Sequence, residues 1–308
     1  MMRMVIWGGA VALMAWAAAA YADTIHLKNG IRFDGVVTPV PDQEGMYRVK
    51  AGRRNLIYRA DEIERIEKND KTGHLDRDAL RARWEATNKA LTEETGLTAE
   101  QRRLVRGLIF ELKSESDARR RAIREQLAAL QAEFDAFGYI VFMYPELSSL
   151  LAPAVLETLF AIDPPRSLET IMAGAESAYF GVRAMAIDLL GRAAPPGAVP
   201  LVARGLADHM PEVRIAAAYA LASLGAREAT PALIGQLSYL DQRVSNAARE
   251  ALASVWGERL GEQRPATVDE WNAFWSAQSV SGATIALDKL KPLIAPEDEQ
   301  TVSYDANH

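Results

Sequence analysis

The chain of 308 residues contains no cysteine. This absence excludes disulfide bonds, cysteine zinc sites, a thiol nucleophile and an N-terminal lipid-modified cysteine. Lysine is also missing between Lys113 and Lys289, where every basic side chain is arginine. A positive excess is missing too, because the formal net charge is −6. We therefore expect no nucleic-acid partner, since such surfaces generally carry a basic excess.

Motifs of catalysis and cofactor binding are equally scarce. The sequence has no nucleophile elbow, no P-loop and no glycine pattern of the dinucleotide-binding type. Its histidines stand at no spacing typical of metal ligands: His26, His74, His209 and His308. We predict no catalytic residue, no metal and no cofactor. An enzyme with a site between the N-terminal and repeat regions remains a minor alternative, because catalytic groups are recognised by geometry rather than order.

The N-terminus has the organisation of a secretory signal peptide. Arg3 precedes an uncharged apolar run over 5–19, and Ala20-Tyr21-Ala22 forms a small-residue cleavage pattern before a polar segment. We assign 1–22 to a signal peptide and predict a periplasmic or secreted protein. The alternative is an uncleaved membrane anchor, because the apolar residues 5–22 are just long enough to span a bilayer.

Residues 23–70 read as about five short strands. Asn29-Gly30 stands between alternating apolar residues, which is a strong hairpin signal. Short strands of this number fit a small closed barrel, because closure removes exposed edges. The segments DTIHLKNG and IYRADEIERIE resemble the Sm-like barrels that follow signal peptides in exported bacterial proteins. That resemblance implies a barrel that binds RNA or peptides, but the region holds nine basic and nine acidic groups, which does not favour RNA.

Residues 71–138 are expected to form a helical linker or hairpin. Thr98 and Gln101 have the spacing of a capping box. The apolar side chains step by four and three at Ile123, Leu127, Leu130, Phe134 and Phe137. This seam predicts packing within the chain, with a weak dimer as the alternative. The following apolar block, Tyr139 to Met143, could be a buried strand or a connector.

One apolar pattern occurs three times at a spacing of 31 residues. Aligning Val182, Val213 and Val244 also aligns Ala186, Ala217 and Ala248, and then three leucines. Each unit contains two amphipathic segments, and prolines stand near the start of the first one. A single helix pair cannot bury its apolar face alone, so several must stack. We predict a mainly α fold with an α-solenoid of about three helix pairs over 139–260.

The stretch Asp208 to Gly225 resembles the HEAT repeat, especially the short variety also found in bilin lyases. In that family an aspartate six residues before an arginine helps to form a ladder between repeats. Asp208 and Arg214 match the pattern, whereas the first unit has Ser177 with Arg183 and the third has neither residue. Lyase activity is not implied, because only a scaffold repeat is shared.

The C-terminal region contains a segment that is expected to cap the solenoid. Thr267 and Glu270 form a capping box, and Trp271, Phe274 and Trp275 make one aromatic face. We predict a capping helix over 261–282, with Trp271 and Trp275 in structural roles, and an exposed aromatic patch as the alternative. Residues 283–308 read as a disordered acidic tail.

The expected function is that of an exported, non-enzymatic scaffold or adaptor that binds a protein partner through the solenoid surface. An envelope-anchored or oligomeric structural protein is the alternative. Asp188, Tyr219 and Glu250 occupy equivalent helical positions and form an acidic–aromatic–acidic row. We predict that this row binds the partner together with Arg183, Arg214 and Ile215, whereas Asp208 is structural.

Overall fold

The computed structural model describes residues 23–40, 43–51, 54–67, 74–75, 77–260, 264–278 and 284–298. The predicted signal peptide therefore lies outside the described residues. The chain divides into two compact units, Met1–Leu104 and Val105–His308.

The first unit contains an antiparallel sheet. Its strands are β1 (Asp23–Leu27), β2 (Arg32–Pro39), β3 (Met46–Ala51), β4 (Arg54–Arg59), β5 (Ile63–Glu67) and β6 (His74–Leu75). The order across the sheet is β4-β3-β2-β1-β5-β6. The predicted hairpin at Asn29-Gly30 joins β1 and β2, and Gly30 has a φ of 84°, which glycine adopts without strain.

The prediction of a closed barrel is wrong for this sheet. The first half of β2 pairs with β1 and its second half pairs with β3. The sheet thereby curves around the buried side chains of Ile25, Val37, Tyr47, Val49 and Ile66. Closure would require β4 to pair with β5. Instead β6 pairs with the outer edge of β5, so the described strands leave β4 at the end of an open sheet.

Two helices begin after the sheet. Helix α1 spans Arg77–Thr95, and α2 spans Ala99–Glu111. Gly96, with a φ of 69°, ends α1. The capping box is confirmed: the Gln101 amide N–H donates to Thr98 Oγ1 at 3.2 Å, and the Thr98 N–H donates to Gln101 Oε1 at 2.8 Å.

The second unit begins at Val105, within α2, and continues with α3 (Asp117–Leu130) and α4 (Ala136–Met143). The apolar block after residue 138 is thus helical rather than a strand. The predicted seam does not form one helix, because α3 ends at Leu130. Ile123 and Leu127 are fully buried within the chain, so they are not available for a dimer.

The repeat array follows as α5 (Ala152–Ile162), α6 (Pro164–Gly174), α7 (Phe180–Ala193), α8 (Ala198–Arg204), α9 (Pro211–Ser223), α10 (Thr230–Gln236) and α11 (Gln242–Trp256). The pairs α6–α7, α8–α9 and α10–α11 are the three predicted units. Second helices pack on one another in the order α7, α9, α11. Gly191 permits this approach, since a Cβ there would lie 2.7 Å from the Ala220 Cα. One continuous apolar core results.

Helix α12 (Val268–Ser276) closes the array. Residues 284–298, which include the 3-10 turns Leu287–Lys289 and Pro296–Asp298, return along the first helices α10 and α8. We call residues 284–298 the strap. The Ile285 N–H donates to the Glu228 carbonyl at 2.8 Å, and the Ala232 N–H donates to the Ile285 carbonyl at 3.1 Å. The prediction of disorder is therefore wrong for the strap, which buries Leu293 to 4% exposure.

Candidate interaction surface

A buried ion pair joins the first two repeat units. Arg183 on α7 donates from Nε and Nη2 to the two carboxylate oxygens of Asp208, each at 2.9 Å. Both side chains are 0% exposed. The Arg183 Nη1 also donates to the Ser177 carbonyl at 2.8 Å, and Asp208 accepts the Met210 N–H. Two buried charges thus satisfy each other through a bidentate pair, the geometry that suits a guanidinium.

The same position in the next unit uses a different partner. The Arg214 guanidinium lies over the ring of Tyr239, 4.3 Å from its centroid. Tyr239 stands 31 residues after Asp208, so an aromatic face replaces the carboxylate. Arg214 also donates to the Leu206 carbonyl at 2.8 Å and to Gln236 Oε1 at 3.1 Å. The ladder therefore continues as a cation–π contact.

These contacts correct two of the predicted partner-binding residues. Arg183 is fully buried, so its assignment to a binding surface is wrong. Arg214 is half-buried and its guanidinium is occupied by contacts between units. Asp208 has the predicted structural role, but its carboxylate pairs with Arg183 of the preceding unit, whereas Arg214 bonds only its backbone carbonyl.

The remaining candidates lie together on the second helices. Asp188 and Glu250 are exposed, and Tyr219 is 43% exposed between them. Ile215 is half-buried one turn before Tyr219. Asp188 is paired along its own helix with Arg192 at 3.6 Å. The predicted row is therefore a solvent-facing surface that crosses the second helices of three successive units, α7, α9 and α11.

A hydrogen bond connects two members of this row. The Tyr219 hydroxyl donates to Glu250 Oε2 at 2.8 Å. This bond raises the pKa of the Tyr219 phenol, because it holds the proton that ionisation would remove. The aromatic ring is thereby fixed in orientation while its face remains accessible.

Sequence reasoning missed a second contact on the same surface. Arg243 on α11 lies 3.2 Å from Glu212 on α9, and it also pairs with Asp241 at 2.7 Å. Glu212 and Arg243 are 31 residues apart, as are Tyr219 and Glu250. Searching the sequence for complementary residues at this spacing would have found both pairs. We call Asp188, Glu212, Ile215, Tyr219, Arg243 and Glu250 the second-helix surface.

The aromatic helix caps the end of the array as predicted. Trp271 is buried, and Phe274 packs edge-on against Trp271 at 5.7 Å and Trp256 at 5.3 Å. Trp275 lies 6.1 Å from Trp256. The capping box of Thr267 is present. These contacts give the aromatic side chains a structural role rather than an exposed binding patch.

The strap occupies the opposite layer of helices. Arg204 on α8 donates from Nη2 to the carbonyls of Pro292 and Leu293, at 3.2 and 3.1 Å, and from Nη1 to Glu176 at 2.8 Å. Leu287 fits against Gly235, where a Cβ would approach its side chain to 2.8 Å. The first helices of the second and third units are thus covered by the chain itself.

His26, Arg65 and Glu67 form a small cluster of titratable groups on the sheet. His26 Nε2 lies 3.2 Å from Glu67 Oε1, an oxygen that Arg65 also contacts. The hydrogen bond from Arg65 holds the pKa of Glu67 below its ordinary value. Over the described part of the chain, no group of three acidic or histidine side chains could hold a metal ion. Nor is any helix there both long and apolar enough to cross a membrane.

The stacked pairs, the continuous core and the buried ladder define an α-solenoid. Residues 168–253 match the family model for HEAT repeats, which confirms the resemblance drawn from the sequence. No curated protein is a significant match. A crystal structure of an engineered protein from the Northeast Structural Genomics Consortium is 19% identical, with a TM-score of 0.35, over 56% of this chain and 93% of its own.

Proposed function

We propose that this chain is an exported, non-enzymatic scaffold whose second-helix surface binds a protein partner. HEAT repeats commonly mediate interactions between proteins, and the match covers the helices that carry this surface. The observation that carries the proposal is the exposed row of Asp188, Tyr219 and Glu250, which is repeated across three units.

The geometry of the row suits a protein partner. Tyrosine contributes a large contact area at a low cost in side-chain entropy, and it is enriched at binding hot spots. The bond to Glu250 reduces that cost further, because the ring is already oriented. Flanking carboxylates favour a partner that presents basic side chains around an apolar centre.

Site-specific cross-linking tests this assignment. A photoreactive amino acid at position 215 is expected to capture the partner in cells, and the same group at position 172 serves as a control on a first helix. Met172 is 50% exposed and Ile215 is half-buried, so the side chain at each position reaches solvent in part. Adding Tyr219→Ala should abolish capture from position 215. Equal capture from both positions, or capture unaffected by Tyr219→Ala, would contradict the proposal.

Export is tested separately, because it depends on residues 1–22. We expect the mature protein to begin at Asp23, which N-terminal mass spectrometry of the cellular protein would detect. An intact N-terminus in the membrane fraction would instead support the anchored alternative.

A further inference from the structure

The hairpin of β3 and β4 concentrates positive charge, although basic and acidic groups are equal in number over residues 23–70. Residues 46–59 contain five basic side chains and no acidic one. The basic residues are Arg48, Lys50, Arg53, Arg54 and Arg59. Because like charges this close raise the local potential together, the hairpin favours an anionic partner.

Alternation along β3 directs Arg48 and Lys50 outward. In β3, Tyr47 and Val49 are buried, whereas Arg48 and Lys50 are exposed. The register places Arg48 opposite Ile57 of β4. Ile57 is 54% exposed, so an apolar group lies beside the basic side chains on the outer face.

Most of this charge is not neutralised by nearby carboxylates. Arg59 pairs with Asp61 at 3.2 Å. Within the part of the chain that the structure describes, Arg48, Lys50 and Arg54 form no ion pair. Their charges therefore remain available to a ligand.

The same hairpin contains an open sheet edge. β4 ends the strand order, and none of the described strands pairs with its outer side. Unpaired N–H and C=O groups on such an edge can accept an added strand. Arg54 and Arg59 stand at the two ends of β4. Arg59 lies on the same face of the sheet as Ile57, whereas Arg54 lies on the other face.

We propose that the β4 edge binds an extended acidic segment of a partner protein as an added strand. On the outer face, the segment places carboxylates near Arg59 and within reach of the long side chains of Arg48 and Lys50, and an apolar residue against Ile57. Arg54 stands at the other end of the same edge. This site is in the first unit, so it is additional to the second-helix surface. The protein then has two surfaces of different chemistry, one for each of two partners or segments.

A polypeptide fits this edge better than RNA or a lipid surface. The hairpin offers no exposed ring for base stacking among its described residues, because Tyr47 is buried and Tyr58 packs 5.8 Å from Phe33. Its described residues present only Ile57 as a large exposed apolar side chain, which is little to insert into a membrane. The unpaired N–H and C=O groups of an open edge, by contrast, match the hydrogen-bonding groups of another strand.

Fluorescence anisotropy with a labelled peptide tests the charge requirement. The probe repeats Glu-Thr-Val-Thr over about eight residues, so that glutamate and valine alternate on one face of an added strand of typical length. It is titrated with the chain from residue 23 to 308. Arg48→Glu/Lys50→Glu should weaken binding by at least about tenfold, because two attractive contacts become repulsive. The matched control is Lys28→Glu/Arg32→Glu, which makes the same charge change at exposed positions of the β1–β2 hairpin, and it should alter binding less than about twofold. Equal weakening by both double variants would overturn the proposal.

Backbone methylation of the probe tests strand addition. Two peptides carry N-methyl groups on alternate amides, in the two possible registers. At least one should lose binding, because an added strand needs its amides on the side that faces β4. The proposal fails if neither methylated peptide is weakened. It also fails if an RNA oligonucleotide or phosphatidylserine vesicles displace the unmodified peptide while binding more tightly.

Discussion

The substitution Asp208→Asn tests whether the ladder stabilises the array. The side chain keeps its size but loses its charge. The Arg183 guanidinium then remains buried without the carboxylate that pairs with it. Breaking a fully buried pair from one side costs about 3–5 kcal/mol, because the remaining charge is uncompensated. Asparagine keeps one acceptor oxygen, so one hydrogen bond to the guanidinium is lost, which costs about 1.5–3 kcal/mol, and the other loses its charged acceptor.

Urea unfolding followed by circular dichroism measures this cost. With an m-value of about 2–3 kcal/mol/M, the midpoint should fall by roughly 1–2 M. Glu212→Gln is the matched control, because it makes the same chemical change in an exposed contact between units and should cost at most about 1 kcal/mol. Arg183→Met/Asp208→Leu should recover most of the loss, since apolar groups can replace a buried pair. If Asp208→Asn cost no more than Glu212→Gln, the ladder would not be a stabilising feature.

Three further substitutions test other contacts. Leu293→Ala should cost about 2–4 kcal/mol in urea unfolding, because Leu293 is almost fully buried, whereas a disordered tail would show no change. Gly191→Ala should cost about 1–3 kcal/mol, since its Cβ would meet Ala220; an unchanged midpoint would contradict the close helix approach. Glu250→Gln should lower the pKa of Tyr219 toward its ordinary value in an NMR titration of labelled tyrosine, and an unchanged pKa would exclude the hydrogen bond.

The repeat units could be predicted because their pattern is local. Valine, alanine and leucine recur on one side of each second helix, and the 31-residue spacing fixes the stack. The position of Arg183 could not be obtained in this way. A helical wheel places it outside the apolar stripe, but the turn of the next unit covers it and supplies Asp208. The family pattern predicted a ladder between repeats, but the residue spacing did not show that the Asp208 carboxylate pairs with Arg183 of the preceding unit.

The order of the strap could not be predicted from the sequence for a different physical reason. Ile285, Leu287, Leu290 and Leu293 are spaced by two, three and three residues, which fits neither a strand nor a helix. Polar and acidic residues then dominate the sequence that follows. Its order comes from carbonyl contacts with Arg204 and from a notch at Gly235, and neither is visible without the fold. Barrel closure likewise depends on which strand reaches the edge of β5.

The end of the array follows from the way the ladder changes along it. Asp208 gives Arg183 a buried charge partner, and Tyr239 gives Arg214 only an aromatic face. The third unit has Ser245 where an arginine would continue the ladder, and Ser245 bonds only the Gln242 carbonyl of its own helix. The third unit therefore has no arginine at this position that could pair with the turn of a fourth unit. Trp256 instead packs against Phe274 and Trp275 of α12, and these contacts cover the end of the core without a further repeat. The last unit is therefore distinguished both by the loss of the ladder residues and by the aromatic contacts of α12.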